Sequence, residues 1–273
     1  MLACTHHLCV ETKPKTMTVI VPLDFSPQSI NAASFAANML NGVYDANILL
    51  YHLYENDSDE AEAISNLQRV KETLQNNSLV KIRSVAEKGS GVVYAVGRLI
   101  SREDASLVVM SVSDRVKFFE DSYSLQMMNE SDCPVMVIPY GYLYNEVRRV
   151  ALASDFKQVD RTIPLAKVKN ILKVFRPELH IVHVNPEIYV SLDEELQAQR
   201  GQLAEMFAEF NPQFHFVTTN HFTESLEQFI DDRSIDLVLT FPRKHSYLST
   251  LIKGTNTQKL VYKNTIPVLA AHE

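Results

Sequence analysis

The sequence predicts an α/β protein made of two repeated, open, doubly wound parallel-sheet domains. Asp24 and Asp155 each follow an apolar segment and are 131 residues apart, and His52 and His183 are also 131 residues apart. Two further pairs of features repeat at 130 and 133 residues, namely the apolar segments 107–110 and 237–240 and the Pro-Val pairs that begin at Pro134 and Pro267. Four features in one order at nearly one spacing indicate the duplication of a whole domain.

The second observation is the alternation of apolar segments with segments of helical periodicity. Strands that are apolar nearly throughout indicate a parallel sheet covered by helices on both faces. In the first repeat we predict strands at residues 19–23, 47–53, 79–86, 106–111 and 134–138, and helices at residues 27–40, 57–76, 92–100 and 115–130. Ser26 is a favourable N-cap for the first helix, and Pro27 suits its first position.

The second repeat follows the same order. The predicted strands are at residues 147–153, 178–184, 213–219, 235–240 and 266–270, with helices at 164–175, 192–210 and 225–232 and between the last two strands. We therefore predict domains at residues 17–140 and 146–273, joined by a short linker.

Residues 1–16 form an extension that we expect to be disordered or to precede a true start at Met17. Its Cys and His residues match no common zinc spacing, so no metal site is predicted there.

Composition limits the classes of function. The chain has 273 residues, 46% of them hydrophobic and 22% charged, and a formal net charge of −7. An acidic balance argues against a nucleic-acid or anionic-lipid partner, and no apolar run is long enough to span a bilayer. Three separated cysteines do not make a disulfide framework. We therefore expect a cytoplasmic protein that binds neither nucleic acid nor membrane.

Five segments carry a resemblance to a known family: VIVPLDFSP, LLYHLYE, CPVMVIP, IVHVNPE and IPVLAAH. In this order, and in two copies, they resemble the universal stress protein family in its tandem two-domain form. The resemblance covers the chain from Met17 onward. It implies, in each domain, a five-stranded parallel sheet of order 3-2-1-4-5, the adenine nucleotide alpha hydrolase-like arrangement. It also implies pairing of the domains through their fifth strands, and a homodimer is a further expectation.

Some members of this family bind ATP through a glycine motif after the fourth strand: Gly, two residues, Gly, nine residues, Gly, then Ser or Thr. Glycines let backbone N–H groups close around phosphate oxygens. In the first repeat the two leading positions fall on Ser111 and Asp114, and no glycine follows before Gly141. A carboxylate would repel phosphates, so we predict that the first domain holds no triphosphate in the manner of the family.

The second repeat departs differently from the motif. Thr240 and Arg243 replace the leading glycines, whereas Gly254-Thr255 is retained. Arg243 and Lys244 add positive charge, and side-chain cations can bind phosphate without a backbone cradle. This loop is either an anion or nucleotide site or a solvated basic loop beside a helix start.

The resemblance also implies that Asp24 and Asp155 border the nucleotide and that Leu53 and Val184 lie against adenine. An alternative is that an Asp at a strand end only organises the turn by accepting backbone N–H bonds. The two repeat-related histidines are interpreted as core or domain-boundary residues.

No sequence signature of catalytic turnover is present: the chain has no G-x-S-x-G, Walker, H-E-x-x-H or C-x-x-C motif. We therefore predict a non-enzymatic stress-response module with degenerate nucleotide-binding motifs. One alternative is an ATP or AMP sensor with an anion site in the second domain and at most slow hydrolysis. Another is a structural protein-interaction scaffold.

Overall fold

The first half of the chain supplies five strands and four helices to the computed structural model, which describes residues 16–112, 123–185, 194–218, 222–241 and 266–272. The strands are β1 (Met17–Pro22), β2 (Ala46–Tyr54), β3 (Lys81–Lys88), β4 (Leu107–Ser111) and β5 (Val135–Ile138). The helices are α1 (Pro27–Met39), α2 (Glu60–Gln75), α3 (Val92–Glu103) and α4 (Tyr123–Glu130).

The second half repeats this order. Its strands are β6 (Arg149–Ala153), β7 (Glu178–Asn185), β8 (Gln213–Thr218), β9 (Leu237–Thr240) and β10 (Val268–Ala270). Its described helices are α5 (Val159–Thr162), α6 (Leu165–Phe175), α7 (Glu194–Met206) and α8 (Phe222–Arg233).

All ten strands form one sheet in the order β3-β2-β1-β4-β5-β10-β9-β6-β7-β8. Each half has the order 3-2-1-4-5, and neighbouring strands within a half run parallel. The predicted fold class is therefore confirmed. The halves meet where β5 and β10 pair antiparallel, with Met136 opposite Leu269.

Helices cover both faces of the sheet. One face is covered by α1, α2, α6 and α7, and the other by α3, α4 and α8. The buried side chains of these helices include Phe35, Leu67, Ile171 and Leu203 on the first face and Leu99, Met128 and Leu226 on the second. On each face the buried cluster contains residues from both halves, so the core continues across the junction.

Proline accounts for the main difference between the two halves. Where the first half has the single helix α1, the second half has α5 and α6, separated at Ile163 and Pro164. Ile163 has extended backbone angles, as expected for a residue that precedes proline. Helix α6 corresponds to the helix predicted at residues 164–175, whereas α5 is not predicted from the sequence.

Other element ends shift by a few residues. The strand predicted from residue 79 begins at Lys81, because the backbone N–H of Leu79 donates to the side chain of Asn41 (3.1 Å). Helix α2 begins at Glu60 after a 3₁₀ turn, and α7 ends at Met206. Helix α8 extends beyond the predicted residues 225–232 at both ends. Residues 115–122, and most of the segment between the last two strands, lie outside the described residues.

The predicted linker packs against the first half. The ring centroid of Tyr144 lies 5.1 Å from that of Phe35 in α1, and Asn31 donates a hydrogen bond to the carbonyl oxygen of Tyr142 (2.7 Å). Burial raises the pKa of Tyr142 to about 12, with a further contribution from the charge of Asp236. The linker is therefore part of the packed structure.

Substitution at the junction should destabilise the protein. Leu269 is fully buried opposite Met136, so Leu269→Ala should lower the free energy of unfolding by about 2–5 kcal/mol. Leu79→Ala is the matched control, because Leu79 is 91% exposed and its truncation should cost less than about 0.5 kcal/mol. Urea denaturation of both variants checks this, and equal losses would contradict the packing described for β10.

Candidate functional site

The candidate sites lie at the carboxyl ends of the parallel strands, where open α/β sheets bind ligands. Strands β1, β2 and β4 end together in the first half, and β6, β7 and β9 end together in the second. Because β5 and β10 pair antiparallel, these two sets of ends lie at opposite edges of the sheet. The molecule therefore has two separate candidate sites that face in opposite directions.

In the first half, Asp24 closes the turn between β1 and α1. Its Oδ1 accepts hydrogen bonds from the backbone N–H (3.0 Å) and the hydroxyl (2.6 Å) of Ser26. The Ser26 hydroxyl oxygen in turn accepts the backbone N–H of Ser29 (3.2 Å), which caps α1. Both the predicted cap and the turn-organising alternative for Asp24 are thus observed.

The carboxylate of Asp24 is stabilised in its ionised form. Its partial burial alone would raise the pKa, but hydrogen bonds from Ser26 and Ser29 outweigh that effect and lower the pKa below 3.8. Asp24 remains exposed to solvent at the sheet edge.

The next residue, Phe25, folds back onto β2. Its φ of +61° lies in the left-handed region that non-glycine residues rarely adopt. This places its ring 4.4 Å from that of His52, measured between centroids. Nδ1 of His52 donates to the carbonyl oxygen of Leu23 (2.7 Å). The histidine thus ties the end of β2 to the end of β1.

The second half repeats this arrangement. Asp155 Oδ1 accepts the backbone N–H of Lys157 (3.2 Å), and Phe156 has a φ of +54°. The Phe156 ring lies 4.8 Å from the ring of His183, whose Nδ1 donates to the carbonyl oxygen of Ser154 (3.1 Å). Burial lowers the pKa of His183, although the bond to Ser154 works in the opposite direction.

Sequence analysis identified the aspartates and histidines by their spacing and missed the phenylalanines that join them. The available signal was the aromatic residue directly after each Asp, in LDF and SDF. The spacing therefore marks a local structure that occurs twice in this chain. In each copy the Asp, the Phe and the His all contact the turn that follows the first strand.

The two sites differ on the outer strand. The residue opposite His52 is Ala86, whereas the residue opposite His183 is Phe216. Phe216 is 37% exposed, and its ring centroid lies 5.7 Å from that of Phe156. The second half therefore presents an aromatic surface beside its Asp155 turn.

A cation borders this aromatic surface. The guanidinium carbon of Arg200 in α7 lies 5.1 Å from the ring centroid of Phe214, and Phe214 packs edge-on against Phe156 at 6.2 Å. Aromatic rings and a guanidinium together can stack on a flat aromatic ligand such as a nucleotide base.

In the corresponding region the first half has a groove of about 330 Å³ between α1 and α2. It is lined by Phe25, Ile30, Ser34, Asn66, Arg69, Val70, Thr73 and Leu74. The hydroxyls of Ser34 and Thr73 donate to carbonyl oxygens of their own helices, and Arg69 donates to Asn66. The groove is thus an apolar cleft whose polar side chains bond within the helices.

Three of the other predicted site residues lie at strand ends. Leu53 is half-buried near the end of β2 and packs against the cluster on the α3 side. Val184 lies in β7, next to His183. Thr240 ends β9 and is 1% exposed, and its hydroxyl is among the described side-chain groups that have no hydrogen-bond partner.

The remaining predicted residues of the basic loop, Arg243, Lys244, Gly254 and Thr255, lie outside the described residues, as does Asp114. Their role stays a prediction. Within the described ranges, no group of three His, Cys, Asp or Glu side chains could hold a metal ion. None of the described helices is both long and apolar enough to cross a bilayer.

Removing the cap should measure how much the Asp24 turn stabilises the fold. Ser26→Ala deletes the hydroxyl that links Asp24 to the start of α1, so we expect a loss of about 1 kcal/mol in the free energy of unfolding. Ser101→Ala, at an exposed position inside α3, is the control and should change it by less than about 0.5 kcal/mol. Thermal and urea denaturation measure both, and similar values would contradict the capping role.

Comparisons with known proteins agree with this geometry. The sequence profile of the universal stress protein family matches residues 15–139. The sequence matches no curated protein.

Solved structures resemble the chain over nearly its whole length. A universal stress protein from Archaeoglobus fulgidus DSM 4304 has a TM-score of 0.71 at 17% identity, covering 95% of this chain and 97% of that chain. A protein assigned to the universal stress proteins from Pseudomonas aeruginosa UCBPP-PA14 has a TM-score of 0.63 at 12% identity, covering 94% and 93%. The cytoplasmic domain of a prokaryotic cation chloride cotransporter has a TM-score of 0.59 at 11% identity, covering 95% and 96%.

At these identities the structural likeness establishes the fold alone, and the family profile matches the sequence of the first half. Residues 15–139 therefore match a universal stress protein domain by sequence, and the second half repeats the fold of that domain.

Proposed function

We propose that the protein is a non-enzymatic, cytoplasmic stress-response module with degenerate nucleotide-binding sites. The match of residues 15–139 to the universal stress protein family supports the role in the stress response. The observation that carries the proposal is the repeated turn at the carboxyl ends of the strands. In both halves the Asp accepts the backbone N–H of the residue two positions later, and the following Phe covers a His. The carboxylates thus serve the fold of the turn.

We further propose that residues 17–140 and 146–273 are two domains held as a pseudo-dimer by the pairing of β5 with β10. Side-chain contacts across the junction support this arrangement. Lys167 in α6 donates to the carbonyl oxygen of Asp132 (2.7 Å), and the ring of His272 bonds to the carbonyl oxygen of Met128.

The first domain is proposed to hold no triphosphate. Ser111 at the end of β4 and Asp114 beyond it occupy positions at which ATP-binding relatives have glycines. An Asp in place of a glycine in this motif brings a negative charge that repels phosphate oxygens, and only glycine lets the backbone close around them readily.

A nucleotide sensor confined to the second domain is the second candidate. The exposed ring of Phe216 and the Arg200 guanidinium over Phe214 favour it, because aromatic rings stack on nucleobases. ATP or AMP would then stack its base on this surface, and the side chains of Arg243 and Lys244 would supply the positive charge for its phosphates.

A structural interaction scaffold is the third candidate. The cytoplasmic domain of a cation chloride cotransporter has the same fold, although it is not named as a universal stress protein. The fold alone therefore does not distinguish between the candidate functions.

Calorimetric titration of the full chain with ATP, AMP and cyclic AMP tests the proposal. We expect no binding at micromolar concentrations and no phosphate release from ATP, because the first domain lacks the glycines and the Asp turns are engaged in the fold. Micromolar binding would instead support the sensor if Phe216→Ala or Arg243→Ala abolished it.

Phe216→Ala gives the second half the residue that the first half has opposite its histidine. Tyr94→Ala is its control, because Tyr94 is also an exposed aromatic residue, at 72%, but lies in α3. Binding of a triphosphate that survives both Phe216→Ala and Arg243→Ala and is lost in Asp24→Ala would place it in the first domain and overturn the proposal.

A further inference from the structure

Two histidine rings, one buried and one partly exposed, meet in the second half on the face of the sheet opposite Phe156. Nδ1 of His180 in β7 lies 3.0 Å from Nε2 of His215 in β8. Both rings pack on Phe229 of α8, with centroid distances of 6.2 Å for His180 and 4.9 Å for His215. His180 is only 2% exposed. The pair therefore joins the outer strand β8, its neighbour β7 and helix α8.

The first half has apolar residues at the corresponding positions. Given the 131-residue spacing of the repeat, His180 corresponds to Leu49, which is fully buried on the same face. The strand registers place His215 opposite Val182 and Val85 opposite Tyr51, so His215 corresponds to Val85. At these two positions the first half thus has no titratable side chain, whereas the second half has two.

The short nitrogen–nitrogen distance requires one ring to donate a proton and the other to accept it. A neutral pair satisfies this condition. If the pair takes up one proton, a positive charge is placed on rings that are largely withdrawn from water and packed on Phe229. If both rings are protonated, two N–H groups face each other and the hydrogen bond is lost.

The second nitrogen of His180 offers little compensation. Nε2 is buried and is among the described side-chain atoms without a hydrogen-bond partner. The nearest carboxylate oxygen, Oε1 of Glu178, is 3.6 Å away and already accepts a hydrogen bond from Gln213 (2.6 Å). Glu178 also lies 3.7 Å from the Nε of Arg149.

Burial and the surrounding charges together oppose protonation of the pair. Burial is the largest effect on His180 and lowers its pKa. The negative charge of Glu178 in β7 raises this pKa, and the positive charges of Arg233 in α8 and Arg149 in β6 lower it further. Burial also lowers the pKa of His215, and His180 and Arg233 lower it further. In the unfolded chain both histidines titrate near the ordinary value of 6.5. The stabilisation is therefore complete above about pH 6.5 and is lost as pH falls through the lower folded-state values.

We propose that the His180–His215 pair is an acid-sensitive contact that holds β8 and α8 in place at neutral pH and releases them when both rings are protonated. The first half, with Leu49 and Val85, has no such response at the corresponding elements. This goes beyond the proposed function, because it requires no nucleotide and acts on the other face of the sheet.

Hydrogen–deuterium exchange of the full-length protein tests the proposal. Exchange is compared at about pH 7.5 and about pH 5, corrected for the intrinsic rate, since unperturbed histidines change charge between these values. We expect peptides from β8 and α8 to exchange several-fold faster at the acidic pH, because opening lets the histidines take up protons that the folded pair resists. Peptides from β3 and α3 in the same molecule are the internal control and should change far less.

The double variant His180→Leu/His215→Val transfers the residues of the first half to the second. It should fold at neutral pH and remove the acid response of β8 and α8. His183 remains in this variant, so an acid response that survives would belong to the opposite face and overturn the proposal.

The wild-type comparison stands even if the variant does not fold. Equal acid responses of the β8–α8 and β3–α3 peptides in the wild-type protein would also overturn the proposal.

Discussion

The antiparallel pairing of β5 with β10 is the constraint on which the rest of the structure depends. Five parallel strands in each half bury both of their faces only if helices cover them, and the fifth strand of each half would otherwise be an open edge. Joining these strands gives one ten-stranded sheet with a core that runs through both halves. Because the pairing is antiparallel, the strands of the two halves point in opposite directions. Their carboxyl ends, and with them the two candidate sites, therefore lie on opposite sides of the molecule, too far apart to share a ligand.

Sequence spacing predicted the architecture because each repeated feature belongs to a strand end or a helix start. The repeat located Asp24 and Asp155, and local chemistry located the cap at Ser26 and Pro27. The extra helix α5 was missed because its four residues are too few to show a helical period.

The contacts within the sites were less accessible from the sequence. That Phe25 and Phe156 turn back onto histidines follows from positive φ angles, which no residue preference would suggest for phenylalanine. The contact between His180 and His215 depends on the register of β7 against β8. A shift of the register by one residue would move the two side chains apart. Long-range register of this kind is a property of the folded sheet.

The use of both fifth strands inside one chain has a consequence for assembly. A single-domain protein of this fold could dimerise by that edge, but here the edge is consumed internally. In the described sheet, the edges left open to strand addition are the outermost strands, β3 and β8. Strand β3 bears lysine at both ends, which discourages edge-to-edge addition, whereas β8 carries no Lys, Arg, Asp or Glu. Two chains that associate by strand addition would thus pair β8 with β8, so that their second halves meet.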